Sequence, residues 1–234
     1  MLDFIISVGP IYVIEILAAI AGTYYVKSSP SLKSTRWLVI FLWVTVLVEF
    51  ITAYPVIAHY SNYKYFSFVE NTPYADNKWI FNIYIILNFT FFIYYCGSYI
   101  EGRVIRRFVK YSAILYVISA LGYLLITDIY FIETSPFSVI AGTILLFAVI
   151  ILFYFQLLKS DTIVNLKYFL PFYISIGVLI FNLCITPIDI FSEFYSKKNT
   201  LFWEFKNIAY LLLNLSMYSI FILGFIICRK GKSY

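Results

Sequence analysis

Charged side chains are scarce in this sequence, and their scarcity indicates its class. Only 12% of the 234 residues are charged, whereas 62% are hydrophobic, and the mean hydropathy is +0.88. Soluble globular domains have about 25% charged residues. We therefore expect an integral membrane protein rather than a soluble one.

The residue types that metal centres and common enzymes require are also rare. The chain has one histidine, His59, and three cysteines without CxxC spacing. Intramembrane zinc and haem sites use several histidines or cysteines, and no GxSxG, HExxH or P-loop motif is present. We expect no cofactor and no metal, and catalysis is disfavoured, although two buried carboxylates retain some capacity for acid–base chemistry on a lipid.

Apolar runs of membrane-spanning length occupy almost the whole chain. A spanning helix needs about 20 mostly apolar residues. Such windows cover residues 4–26, 37–58, 79–100, 108–127, 137–158, 168–188 and 207–228. The connections are short, so we expect residues 1–234 to form a single all-α integral membrane domain of seven transmembrane helices, with no room for a soluble domain.

Basic residues are distributed unevenly between the two sets of loops. Twelve of the seventeen lie in the first, third and fifth loops and in the C-terminal tail. Lysine and arginine next to membrane spans are retained on the cytoplasmic side, which predicts a multi-pass protein of the cell membrane with its N-terminus outside and its C-terminus inside. The net charge of +5 then reports topology and indicates no nucleic-acid partner.

Two of the predicted spans carry a carboxylate near their middle. Glu15 lies in the run Ile11 to Thr23, and Glu49 lies in the window 37–58. A charge at the centre of a membrane helix costs roughly 2.5–3.5 kcal/mol, so it is kept mostly where it faces protein or water. Counted from the outer ends, the two carboxyls lie roughly 17 and 14 Å deep at 1.5 Å per residue, so they can meet if the two helices are neighbours.

Uncharged polar side chains occur at a similar depth in several other spans. The predicted ligand- or ion-binding residues are Glu15, Glu49, Thr52, Tyr84, Asn88, Asn182, Tyr210 and Asn214. Together they predict a polar cavity in the outer half of the bilayer. The alternative for a single buried asparagine is an interhelical hydrogen bond worth about 0.6 kcal/mol, with no ligand.

The sequence also contains signs of an internal repeat. Pro10 and Pro136 are 126 residues apart, as are Asn88 and Asn214. Gapped alignment of the surrounding segments pairs Trp79 with Trp203 and Asn82 with Asn207. This similarity predicts repeat units 4–100 and 136–228 joined by a helix at 108–127, although chance is a competing explanation in so biased a composition.

This 3+1+3 plan resembles that of the sugar-transporting SWEET and PQ-loop carriers and, more distantly, the seven-helix opsins. SWEET-type carriers have prolines in spans one, two, five and six and asparagines in spans three and seven; the counterparts here are Pro10, Pro55, Pro136, Pro187, Asn88 and Asn214. The chain departs from these families because it has no Pro-Gln pair and no lysine in the middle of span seven for a retinal Schiff base.

From these features we expect a carrier or channel for a small polar solute or cation. Glu15 and Glu49 are candidates for proton coupling, because burial and mutual repulsion disfavour two charged carboxylates. One alternative is a seven-helix ligand-sensing receptor that signals to a cytoplasmic partner through Arg103, Arg106 and Arg107. Another is a homo-oligomeric effector that permeabilises membranes, and in each case the lipid bilayer is a partner.

Overall fold

Helices account for most of the chain in a computed structural model, which describes residues 2–28, 32–192 and 199–230. The α-helices in these ranges are α1 (Leu2–Ser28), α2 (Lys33–Thr52), α3 (Tyr54–Tyr60), α4 (Lys78–Ser98), α5 (Arg103–Ile126), α6 (Ile129–Ile132), α7 (Pro136–Leu157), α8 (Leu170–Ser192) and α9 (Thr200–Lys230). Seven segments are long and apolar enough to cross a membrane: α1, α2 together with α3, α4, α5, α7, α8 and α9. For the described residues, an all-α fold with seven helices of spanning length is therefore confirmed.

Some helices extend well beyond the apolar windows that predicted them. α5 begins at Arg103 rather than at residue 108, and α9 begins at Thr200 rather than at residue 207. Lysine and arginine side chains lie along apolar surface and place their charges in the headgroup region, so a helix can continue past its apolar part. Hydropathy alone therefore underestimates the lengths of these helices.

The second span is interrupted by a proline near its end. α2 ends at Thr52 and α3 begins at Tyr54, with Pro55 in the first turn of α3. Proline has no N–H to donate to the preceding turn, so a helix breaks or bends there. The side-chain amide of Asn77 donates to the carbonyl of Thr52 at 2.8 Å, which satisfies one acceptor at the end of α2.

The spans pack in chain order as a ring with α4 towards its interior. α1 packs against both α2 and α9, and α8 packs between α7 and α9. α4 contacts α2, α5, α7 and α8. The first and last spans are therefore neighbours, and α4 is the helix that touches most of the ring. The 3+1+3 repeat stays a prediction.

Large apolar side chains cover the outside of the bundle. Only 28% to 44% of the apolar window of each span is buried inside the protein. On α2 the exposed surface carries Trp43, Leu47, Phe50 and Ile51. A soluble monomer rarely exposes an apolar patch of this kind, whereas a membrane protein presents it to lipid.

One buried asparagine fixes the connection between α5 and α7. The side-chain amide of Asn82 on α4 donates to the carbonyls of Tyr130 at 3.0 Å and Glu133 at 2.9 Å. Its carbonyl oxygen accepts a hydrogen bond from the backbone N–H of Ser135 at 2.8 Å. The hydroxyl of Ser135 caps α7 by accepting from the backbone N–H of Ser138 at 3.2 Å, so α4 holds the start of α7 in place.

A second set of polar contacts holds the opposite end of the bundle. Arg106 donates from Nε and Nη2 to the carbonyl of Ile100 at 3.2 and 2.9 Å. The side-chain amide of Gln156 accepts from the backbone N–H of Glu101 at 2.6 Å and donates to its carbonyl at 3.1 Å. We call this end, where α1 stops and α2 begins, the basic end. Basic residues at its helix termini and loops include Lys27, Lys33, Arg36, Arg103, Arg107, Lys159 and Lys167.

Candidate functional site

Glu15 lies inside the bundle, between α1 and its two neighbours. Its side chain is only 3% exposed. One turn further along α1, Ala18 and Ala19 are fully buried, and a Cβ at Gly22 would lie 2.9 Å from Val39 on α2. Small residues let membrane helices approach closely, so this stretch of α1 brings Glu15 against α2 and α9.

Glu49 faces the same space from α2. It is half-buried and close enough to Glu15 for the two carboxyls to interact electrostatically. The hydroxyl of Tyr12, one turn before Glu15, donates to the backbone carbonyl of Glu49 at 3.3 Å. Glu15 of the first span and Glu49 of the second are therefore neighbours in the structure, as their similar predicted depths allow.

Two further tyrosines complete what we call the carboxylate site, defined by Glu15, Glu49, Tyr12, Tyr84 and Tyr218. The hydroxyl of Tyr218 on α9 lies beside the carboxyl of Glu15, and Tyr84 on α4 lies within electrostatic range of both glutamates. The Tyr84 hydroxyl also hydrogen-bonds that of Thr45 on α2 at 2.8 Å. Four spans thus contribute to one polar site in an apolar core.

Among the described residues, the carboxylate site holds two acidic groups and no compensating cation. Its electrostatic neighbours on the packed helices are the tyrosines above and the other glutamate. Oε2 of Glu15 is buried and has no hydrogen-bond partner in the described part of the chain. Two unpaired negative charges in a low-dielectric interior repel each other and lose hydration, so this arrangement favours binding of a proton or a small cation.

The predicted asparagines mostly make hydrogen bonds within their own helices. The side-chain amide of Asn182 donates to the carbonyl of Val178, and that of Asn214 donates to the carbonyl of Tyr210, each at 2.8 Å. Asn88 is half-buried and lies one turn beyond Tyr84 on the same face of α4. Its position is therefore next to the carboxylate site along α4.

Two other predicted residues are engaged by neighbouring groups. The hydroxyl of Thr52 donates to the carbonyl of Glu49 at 3.0 Å, which anchors it to its own helix. The hydroxyl of Tyr210 lies 2.7 Å from both carboxylate oxygens of Asp189 on α8. Asp189 also forms an ion pair of 3.0 Å with Lys206, so Tyr210 belongs to a separate cluster near the end of the bundle opposite the basic end.

Tyr12 and Tyr218 belong to the site but were not among the predicted ligand- or ion-binding residues. Tyr12 precedes Glu15 by three residues, and Tyr218 follows Asn214 by four, so helical spacing placed each on a polar face. Helical spacing does not reveal how α9 is rotated relative to α1, and it is this rotation that directs Tyr218 towards Glu15. In a chain with 23 tyrosines, this residue type alone carries little signal.

The structure offers no cluster of metal ligands to explain the site. Within residues 2–28, 32–192 and 199–230, no group of three histidine, cysteine, aspartate or glutamate side chains is placed to hold a metal ion. The chain matches no family model, no curated protein and no solved structure.

Proposed function

We propose that this protein is an integral membrane carrier or channel for a small polar solute or cation, in which Glu15 and Glu49 take up a proton. The single observation that carries the proposal is the buried Glu15 carboxyl, 3% exposed, with a second carboxyl beside it and one oxygen that no group in the described residues hydrogen-bonds. An ionisable residue is costly to bury inside a membrane protein, so such residues are retained mostly for function.

The chemistry of the carboxylate site favours a proton over a static ion pair. A proton shared between Glu15 and Glu49 removes one negative charge and turns one carboxyl into a hydrogen-bond donor. The hydroxyls of Tyr84 and Tyr218 can donate to a carboxylate or accept from a carboxylic acid, so they suit either protonation state. Such a site can load and release a proton without rearranging the helices that form it.

The proposal includes an orientation. The basic end faces the cytoplasm, because basic residues flanking spans are retained there. Both chain ends then follow: the N-terminus is outside, the C-terminus is inside, and the carboxylate site lies in the outer half of the bilayer. Asn88, Asn182 and Asn214 are the candidate neutral hydrogen-bonding groups for a polar solute at that level, and the amides of Asn182 and Asn214 exchange their intrahelical bonds for the solute.

Proton flux into liposomes tests this function. Purified protein is reconstituted into liposomes that contain the pH indicator pyranine, and an acid pulse is applied outside with valinomycin and potassium to clamp the potential, with and without external sodium. We expect faster internal acidification than in protein-free liposomes. We expect Glu15→Gln to abolish this difference, because a glutamine amide cannot take up a proton at the pH of the assay.

Glu101→Gln is the matched control for that experiment. Glu101 is exposed at the basic end and uses its backbone, not its carboxyl, to bind Gln156. Its conversion to glutamine is expected to leave the flux unchanged. A wild-type flux no faster than that of empty liposomes, or one that Glu15→Gln does not alter, would contradict the proposed function.

A further inference from the structure

A second polar cluster lies nearer the basic end of the same bundle. Its members, which we call the inner tyrosine cluster, are Tyr25 on α1, Ser34 and Thr35 at the start of α2, and Tyr95 and Tyr99 on α4. The hydroxyl of Tyr99 hydrogen-bonds that of Ser34 at 2.7 Å and lies 3.5 Å from that of Thr35. Ser34 is half-buried between the exposed Lys33 and the start of the core, so the cluster reaches the surface there.

Tyr95 is the unusual member of the inner tyrosine cluster. Its side chain is 1% exposed, and its hydroxyl oxygen has no hydrogen-bond partner in the described chain. The titratable side chains beside it are Tyr99, Cys96 and Tyr25, and none of them is a carboxylate or a cation. Leaving a buried hydroxyl unpaired costs free energy, so packing alone would favour phenylalanine at this position.

An aromatic layer separates this cluster from the carboxylate site. The ring of Phe41 on α2 stacks on that of Phe91 on α4 at 4.0 Å between centroids, and it lies 5.5 Å from Phe92. Phe92 in turn lies 6.3 Å from Phe221 on α9, which is fully buried. These four rings, which we call the phenylalanine layer, fill the space between three spans with apolar surface.

Three features follow one another along α4: the carboxylate site, the phenylalanine layer and the inner tyrosine cluster. Tyr84 lies 6.4 Å from Phe41, Phe91 lies 6.3 Å from Tyr95, and Tyr95 lies 5.4 Å from Tyr99, between ring centroids. Tyr84 and Tyr95 are eleven residues apart, or roughly 16 Å along the helix at 1.5 Å per residue. Along α4 the phenylalanine layer therefore lies between the carboxylate site and the inner tyrosine cluster, which reaches the basic end.

Resting on the proposed function, we infer that the inner tyrosine cluster is the second end of a proton path from Glu15, with the phenylalanine layer as its gate. When the rings separate and water enters, a proton leaves the Glu15 carboxyl and passes along water to Tyr95. Each hydroxyl accepts one proton on a lone pair and releases its own to the next acceptor, so it ends unchanged. Tyr99 and Ser34 deliver the proton to the basic end.

The gate also determines which species passes. A layer of packed rings excludes a hydrated metal cation, whose hydration shell would have to be removed in an apolar constriction. A proton needs only a transient file of water between hydroxyls. The path therefore conducts protons and not sodium or potassium.

Shape-preserving variants at Tyr95 test this inference in the pyranine assay. Tyr95→Phe removes one hydroxyl for which the described residues offer no short hydrogen bond, so we expect normal folding and a proton flux reduced by about tenfold, equivalent to 1.4 kcal/mol of added barrier. Tyr94→Phe is the matched control, because Tyr94 is 55% exposed on the outside of the same helix turn. It should conduct like the wild type.

Opening the gate supplies the opposite change. Phe91→Ala is expected to raise the proton flux at least about tenfold, and Tyr95→Phe should reverse the increase when combined with it. Phe91→Leu serves as the milder variant if the alanine protein does not fold. A wild-type flux that depends on Glu15 but responds to neither Tyr95→Phe nor the Phe91 variants would overturn the path while leaving the proposed function standing. A flux independent of Glu15 would overturn both.

Discussion

Replacing Asn82 with alanine tests the packing of α4 against the connection before α7. The substitution removes three hydrogen bonds: those to the carbonyls of Tyr130 and Glu133 and that from the backbone N–H of Ser135. Asn82 and Ser135 are both fully buried, whereas Tyr130 is half-buried and Glu133 is exposed. Water can therefore reach the two carbonyls in the variant more easily than it can reach the Ser135 N–H.

The size of the effect follows from this difference. Hydrogen bonds between spans of membrane proteins contribute about 0.6 kcal/mol each on average, which applies to the two bonds whose carbonyls can be rehydrated. A buried donor left without a partner costs about 1–3 kcal/mol, which applies to Ser135. We therefore expect Asn82→Ala to lower the free energy of unfolding by about 2–4 kcal/mol.

Unfolding in bicelles by added sodium dodecyl sulfate, followed by tryptophan fluorescence, measures this change. Asn207→Ala is the control, because the proposed repeat pairs Asn207 with Asn82, yet Asn207 is exposed on α9. Hydrogen exchange at the Ser135 amide gives a local readout and should be faster only in the Asn82 variant. If Asn82→Ala costs no more than Asn207→Ala, the three hydrogen bonds do not hold the start of α7, and the reasoning is wrong.

Two other substitutions test packing and ion-pair contacts elsewhere in the bundle. Gly142→Ala would place a Cβ 2.5 Å from the ring of Phe89, so we expect the free energy of unfolding to fall by about 1–3 kcal/mol in the same assay. Gly122→Ala is the control, because a Cβ there meets open space, and it should be neutral or slightly stabilising. Equal effects of the two substitutions would contradict the close contact at Gly142. Lys206→Met leaves Asp189 without its ion-pair partner and should lower the free energy of unfolding by about 1–2 kcal/mol. Adding Asp189→Asn should largely restore that stability. If the effects of the two substitutions simply add, the pair is not coupled.

The number of spans could be read from the sequence because spanning length and apolar composition are local properties. The similar depth of Glu15 and Glu49 was also foreseeable, since depth in a membrane helix follows from residue count and helical rise. Neither inference requires knowledge of which helices are neighbours. Their common basis is that the bilayer sets one coordinate of each residue in advance.

Helix rotation and loop contacts could not be predicted in this way. The partnership of Tyr210 with Asp189 depends on the rotation of α9 against α8, and the proximity of Tyr218 to Glu15 depends on the rotation of α9 against α1. In the sequence, Asn82 is not distinguishable from other polar residues in the spans. Its role in holding the connection at residues 130–135 is visible only in the structure. Packing fixes these features, and the sequence pattern leaves them open.

The most direct test of the carboxylate site is infrared spectroscopy of its protonated carboxyl. A carboxylic acid with few hydrogen bonds absorbs at the high-frequency edge of the carbonyl region, which fits Glu15, whose Oε2 has no partner in the described chain. We predict a band there that titrates with pH in the wild-type protein, disappears in Glu15→Gln, shifts in Glu49→Gln and persists in Glu101→Gln. A spectrum without such a band, or a band that Glu15→Gln leaves intact, would contradict proton binding at Glu15.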